Sequence, residues 1–363
     1  MSVHQFLPTL EPSAVAAHAL EVDRLLRDLG IPSTIFADQV HPEFEGRARH
    51  HTEFGKGVTA RRGDVLLYQL AVGSLVADFL YDRSERLVVN YHNITPARFF
   101  DRWEPDAVHA VTWGQAQLRK LAARCELGIA VSTYNERELQ RAGYRTTAVA
   151  PVLVDLDGLR AASDEAVEER LRAAKADGGR DWLFVGRLSP NKAQHDLIKA
   201  LAVHRRLYDD RARLHLVGSS SSAAYSAALR DFAAALDLGD AVFLHQGVPA
   251  GTLAAHYRSA DVFVCLSEHE GFCVPLLEAM HHGLPIVALA AAAVPETLGD
   301  AGVLLPGKDP ALVAAAVNRV TTDAALRAAL VEAGVARLDR FTLDRTRNAF
   351  RDALLPLLDG GSR

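Results

Sequence analysis

Three things are scarce in this 363-residue chain, and each scarcity removes a class of function. Cysteine occurs only at Cys125, Cys265 and Cys273, with no paired spacing. That leaves no disulfide scaffold and suits a reducing, cytoplasmic setting. Long apolar runs are missing too: the longest, LPIVALAAAAV at 284–294, is too short to cross a bilayer and has a proline near its start. No transmembrane segment is expected. Nor is a secretory leader, because the opening MSVHQFLPTLEPS has neither a charged stretch nor a long apolar one. The third scarcity is of cationic excess. Net charge is −5, with 17 Lys+Arg against 18 Asp+Glu in residues 1–150 and 23 against 27 in 151–363. Neutralising nucleic-acid phosphates takes clustered cations, so no nucleic-acid partner is expected. Contact with an anionic membrane surface is not indicated either. Lysine is rarest of all, six against 34 arginines, which makes a lysine at any one site more informative.

What is present is a core and a rhythm. Hydrophobic residues make up 49% of the chain, enough for a substantial core, and the length suits two domains. From residue 181, short apolar strands (WLFVGRL, RLHLVG, AVFLHQG, DVFVCLS, PIVALA) alternate with helical stretches of about ten residues or more. The first 150 residues alternate less cleanly. Strands are expected at VHQFLP, STIFAD, DVLLYQ, RLVVNYHN, GIAVS and TAVAPV, and helices at 13–29, 105–123 and 133–143. The fold class is α/β: two Rossmann-like domains with parallel sheets, 1–150 and 151–341, expected to face each other across a cleft. The final helix, about 342–357, is a candidate to pack back on the first domain. The basic segment 45–64 shows no apolar period and reads as a solvated loop, with a role in holding an anionic acceptor as the alternative.

Two stretches carry chemistry. In EHEGFCVPLLEAM, 268–280, Pro275 marks a helix start, so Glu270 falls in the preceding loop and Glu278 one turn into the helix. The amides of Gly271, Phe272 and Cys273 precede the helix, where donors and a positive dipole end suit an anion or sugar hydroxyls. Glu270 and Glu278 beside them are acceptors for hydroxyls. The plainer reading is a capping acid followed by an ordinary surface glutamate; an acid–nucleophile pair for glycoside hydrolysis is a lesser alternative. In FVGRLSPNKAQHDLI, 184–198, Gly186 and Arg187 close a strand and Lys192 stands at a helix start. A guanidinium fork and a compact ammonium at one turn suit a diphosphate, without the glycine-rich loop of a Walker motif.

VGRLSPNK, SEHEGFCVPLLEAMHHGLPIVA and PETLGDAGVLL together resemble the C-terminal half of glycosyltransferase family 4, the retaining enzymes of GT-B fold, over roughly 120 residues. The family's pair of glutamates eight positions apart matches Glu270 and Glu278. The resemblance implies that Arg187 and Lys192 hold a donor diphosphate, with Gly186 at the strand end. It places Glu278 on the nucleotide ribose, Glu270 near the donor sugar, and the Gly271, Phe272 and Cys273 amides on sugar and phosphate. His92, in NYHNITP, would contact the donor sugar or the transferring centre; a lone histidine otherwise reads as structural.

The resemblance also implies a hexose-type sugar moved from a UDP- or GDP-linked donor to a carbohydrate, cyclitol or other hydroxyl acceptor. It implies no metal and no cofactor beyond the nucleotide sugar. Two departures stand out: LPTLEPSAVAAHAL lacks the glycine pair usual in the first strand–helix loop, and VAPVLVDLD stands where an Asn-Gly hinge is common. A sugar-nucleotide epimerase and a non-catalytic partner subunit are the alternatives. Asp155-Leu156-Asp157 falls in the interdomain connection, away from the donor residues, and is set aside as a metal motif. Cys265, His269 and Cys273 are set aside as a zinc set, because strand and loop separate them.

Overall fold

The structure is a computed structural model in which residues 1–56, 63–156, 163–176 and 178–359 are described. The chain divides into two compact units. The first comprises Met1–Arg98, Pro105–Val154 and Phe341–Arg363; the second comprises Phe99–Glu104 and Asp155–Arg340.

The first unit holds a seven-stranded sheet built from β1 (Val3–Leu10), β2 (Ser33–Val40), β3 (Arg49–His50), β4 (Val65–Leu70), β5 (Arg86–Tyr91), β6 (Leu127–Ala130) and β7 (Thr147–Val149). Every neighbouring pair is parallel, in the order β3-β2-β1-β4-β5-β6-β7. Helices cover such sheets on both faces, so central strands carry apolar runs rather than alternation, and all of VLLYQL in β4 is buried. The helices Ala14–Asp28, Leu75–Tyr81 and Thr133–Ala142 each begin after a serine whose hydroxyl accepts an orphan amide. Ser13 caps Ala16 at 3.2 Å, Ser74 caps Ala77 at 3.4 Å, and Ser132 caps Asn135 at 3.2 Å. The helix Leu343–Asp359 belongs to this unit. Its Phe350 and Leu354 are buried with Val3, Val22, Leu26 and Ile129, and Arg347 pairs with Asp28 at 2.9 Å.

One expectation fails here. Residues 49–56 are not a plain solvated loop, because β3 pairs with β2 and Phe54 is buried. The Phe54 ring meets those of Phe6 and Phe36, each at 5.4 Å. A single aromatic anchor in a charged stretch leaves no period to read. Residues 57–62 of that segment, and Asp157 of the Asp-Leu-Asp motif, lie outside the described residues.

The second unit holds β8 (Asp181–Val185), β9 (Arg213–Val217), β10 (Val242–His245), β11 (Val262–Cys265), β12 (Ile286–Leu289) and β13 (Val303–Leu305). Again all pairs are parallel, in the order β10-β9-β8-β11-β12-β13. Phe99–Glu104 joins this unit through contacts remote in sequence. Ser189 Oγ donates to Glu104 at 3.2 Å, Ser222 Oγ donates to the Trp103 carbonyl at 2.9 Å, and the Trp103 ring meets Tyr225 edge-on at 5.5 Å. In each sheet the strand order reverses once, between β1 and β4 and between β8 and β11. Ligands of open α/β sheets bind outside the carboxyl ends of the strands at that reversal.

Candidate functional site

The reversal in the second unit gathers eight of the nine residues singled out in the sequence. β8 ends at Val185, and Gly186 follows with φ +151°; its carbonyl is so close to Gly218 that a Cβ there would stand 2.1 Å from the oxygen. The backbone of two adjacent strand ends is therefore packed too tightly for a side chain at Gly218. Arg187 is exposed, and among the described residues its guanidinium has no side-chain partner. Lys192 closes a short turn, Pro190–Lys192, after which Ala193 (φ +53°) leads into the helix Gln194–Leu207.

The neighbouring strand β11 delivers the carboxylates. Lys192 Nζ lies 2.7 Å from Glu270 Oε2, so the two stretches read separately in the sequence form one ion pair. Burial works to lower the Lys192 pKa, but the Glu270 carboxylate beside it prevails and holds the ammonium above its ordinary value. The two loops are pinned to each other: Asn191 Nδ2 donates to the His269 carbonyl at 3.2 Å, and the Glu268 amide donates to the Asn191 carbonyl at 2.9 Å. Asn191 Oδ1 is buried with no hydrogen-bond partner among the described residues.

Cys273 (φ +71°) precedes the helix Val274–His281, and no described carbonyl accepts from the Gly271 or Cys273 amide. Phe272 is buried, and its carbonyl accepts from the Thr297 hydroxyl at 2.6 Å. On that helix Glu278 accepts from the Tyr257 hydroxyl at 2.6 Å. Burial raises the Glu278 pKa, and the Tyr257 bond only partly offsets it.

Left-handed backbone at non-glycine residues is uncommon and costs free energy, so its distribution is informative. Of the five such residues among those described, Ala193, Cys273 and Ala292 follow β8, β11 and β12, and Asn93 follows β5; Asp237 lies elsewhere. The same loop geometry corrects one expectation. Strand and loop do not keep the cysteines apart, because Cys265 Sγ and Cys273 Sγ stand 4.0 Å from each other, with Glu270 close by. The Lys192 ammonium on Glu270 opposes a cation at that spot.

His92, the ninth residue, lies in the first unit just past β5. Its tautomer follows from a chain of amides. The Ala19 carbonyl accepts from Gln5 at 2.9 Å, Gln5 Oε1 accepts from Gln69 at 2.9 Å, and Gln69 Oε1 then faces His92 Nε2 at 2.7 Å. That nitrogen must carry the proton, which leaves Nδ1 as an acceptor. Burial pulls the His92 pKa down to about 3, so the ring is neutral at working pH and serves as a hydrogen-bonding group rather than an acid. In the first strand–helix loop, where the sequence has no glycine pair, Ser13 spends its side chain on the cap already described.

Tyr257, Gly218, Gln5 and Gln69 escaped the sequence reading. Gly218 closes a recognised strand, RLHLVG, and was legible in principle; the polar residues inside β1 and β4 and the tyrosine on Ala250–Ser259 carry no local signal.

Residues 167–337 match the family model described as glycosyl transferases group 1. A D-inositol 3-phosphate glycosyltransferase of Geodermatophilus obscurus is 37% identical over 212 residues, 56% of this chain and 45% of that protein, so the match spans less than half of the relative's length. A GDP-mannose-dependent alpha-(1-6)-phosphatidylinositol monomannoside mannosyltransferase of Mycolicibacterium smegmatis is 30% identical over 270 residues, 70% of this chain and 69% of that one. Among solved structures, Anabaena HepE in complex with UDP and glucose superposes with a TM-score of 0.76 at 19% identity, over 98% of this chain and all of that one.

Proposed function

The chain belongs to the group 1 glycosyl transferases of glycosyltransferase family 4, with the GT-B fold, and on that footing we propose that it moves a hexose-type sugar from a UDP- or GDP-linked donor to an acceptor hydroxyl with retention of anomeric configuration. The observation that carries this reading is the placing of Arg187 and Lys192 after β8 and of Glu270 and Glu278 after the neighbouring β11, with Lys192 and Glu270 2.7 Å apart. Breaking the glycosidic bond to a diphosphate develops negative charge on the leaving oxygen. Arg187 and Lys192 stabilise that charge without a metal ion, and Glu270 holds the lysine in place. Glu278 takes ribose hydroxyls, and the Gly271 and Cys273 amides take sugar or phosphate oxygens. His92 accepts a sugar hydroxyl at Nδ1. The leaving phosphate itself removes the acceptor proton on the same face, which is why no protein nucleophile is needed. Relatives named for inositol phosphate and phosphatidylinositol mannoside favour a cyclitol or cyclitol-bearing acceptor.

The test is a thermal-shift panel of UDP, GDP, ADP and their sugar conjugates, each with and without EDTA. Binding to the native state raises the midpoint. One nucleotide should win, by the same increment in either buffer; no shift with any of them, or a shift that EDTA abolishes, overturns the reading.

A further inference from the structure

Three histidines of the second unit converge away from the donor residues. His215 lies within β9, His245 ends β10, and His256 sits on the helix Ala250–Ser259 that follows β10. One ring nitrogen of each lies within 4.8 Å of one from each of the others. His215 Nδ1 and His245 Nε2 face each other at 3.1 Å. Two nitrogens on one tetrahedral zinc, at its usual bond length, stand about 3.3 Å apart, so the spacing fits a shared cation as well as a shared proton. Behind this pair, His215 Nε2 is buried with no hydrogen bond, 3.6 Å from Asp181 Oδ1. A carboxylate that near favours the proton on Nε2 by its charge, which turns the Nδ1 lone pair toward His245, and a shift of a few tenths of an ångström would complete the hydrogen bond found behind metal-ligating imidazoles. Asp181 is itself held by Arg213 Nε at 2.7 Å.

We propose that His215, His245 and His256 bind one divalent transition cation of the zinc class, with Asp181 positioning His215. An all-imidazole set selects zinc, nickel or copper over magnesium or calcium. The site is structural: β10 is an edge strand, and the cation ties it and β9 to the helix that covers them. One positive charge works against it. Arg170, on the helix Glu165–Ala174, faces His245 and His256.

The experiment uses the untagged full chain, stripped with chelator and titrated with Co2+, whose tetrahedral complexes absorb strongly in the visible. One ion should bind per chain and be displaced by Zn2+, and Zn2+ should raise the thermal midpoint. His245→Gln, at a half-buried position that tolerates change, should weaken binding at least tenfold. Asp181→Asn should weaken it roughly 10- to 100-fold, and Arg170→Gln should tighten it. The paired change His50→Gln, His51→Gln, in a second cluster with Asp38, should leave it unaltered. Absence of the visible band, or full affinity retained in His245→Gln, overturns the proposal and leaves an aromatic stack, which Phe243 joins at 5.2 Å from His215. EDTA would then leave the stability of the nucleotide-free protein unchanged.

Discussion

The carboxyl ends of the two sheets carry opposite chemistry on the same topology. In the second unit the reversal between β8 and β11 is charged, with a paired lysine, a free arginine and two glutamates. In the first, the buried polar groups of β1, β4 and the end of β5 are neutral, an amide ladder of Gln5 and Gln69 ending on a neutral His92, and the one carboxylate beside them, Glu11, is exposed just past β1. On the proposed function, the contrast follows from what each would hold. A diphosphate that gains charge in the transition state is stabilised by fixed cations, whereas hydroxyls are sorted by neutral donors and acceptors whose directions are locked.

The hardest test of this division is the double substitution Arg187→Ala, Lys192→Ala. It should cut transfer by about 10³-fold or more, with circular dichroism unchanged, since losing even one such electrostatic contact typically costs 10²–10³. Surviving activity would mean that charge does not do the work assigned to it. His92→Ala should cost less, roughly tenfold in kcat, as expected of a single hydrogen bond between neutral groups. The affinity for the free nucleoside diphosphate should stay the same; if isothermal titration shows that affinity falling too, the neutral end also serves the diphosphate and the contrast breaks.

The smallest effects are in pH, and the two ends should differ in sign. His92 and the fully buried His18, whose pKa burial also lowers, are held neutral when folded. Their contribution is complete above the ordinary value of 6.5 and is lost as pH falls through the lowered values, about 3 for His92. Glu278 is shifted the other way. Its raised pKa favours the protonated form in the fold, so this contribution is complete below 4.5 and is lost as pH rises through the raised value. Glu278→Gln should therefore raise the thermal midpoint of the nucleotide-free protein near neutrality, with the gain fading in acid, while nucleotide binding weakens. A midpoint that falls at neutral pH would show that the ionised carboxylate stabilises the fold after all.

The second unit was the more legible for a physical reason. Its candidate groups sit in loops of eight residues or, for Glu278, on the helix just after one, beside strands that are mostly apolar, so Gly186, Arg187, Lys192, Glu270 and Glu278 stand out by local contrast. Phe54 and the segment 99–104 were illegible for the converse reason. Their partners, Phe6 and Phe36 in one case, Ser189, Ser222 and Tyr225 in the other, lie far off in sequence.

Sequence by itself determined the two α/β units, the parallel sheets and the identity of the charged residues, because strand burial, helix period and helix starts are written in spacings of a few residues. Only the tertiary structure decided which of those residues touch. The Lys192–Glu270 pair, the Tyr257 bond to Glu278, the amide ladder that sets the His92 tautomer and the meeting of His215, His245 and His256 all join different strands, helices or loops. Strand order fixes those neighbours, and it depends on how crossovers pack over the whole sheet, a property no short window of sequence contains.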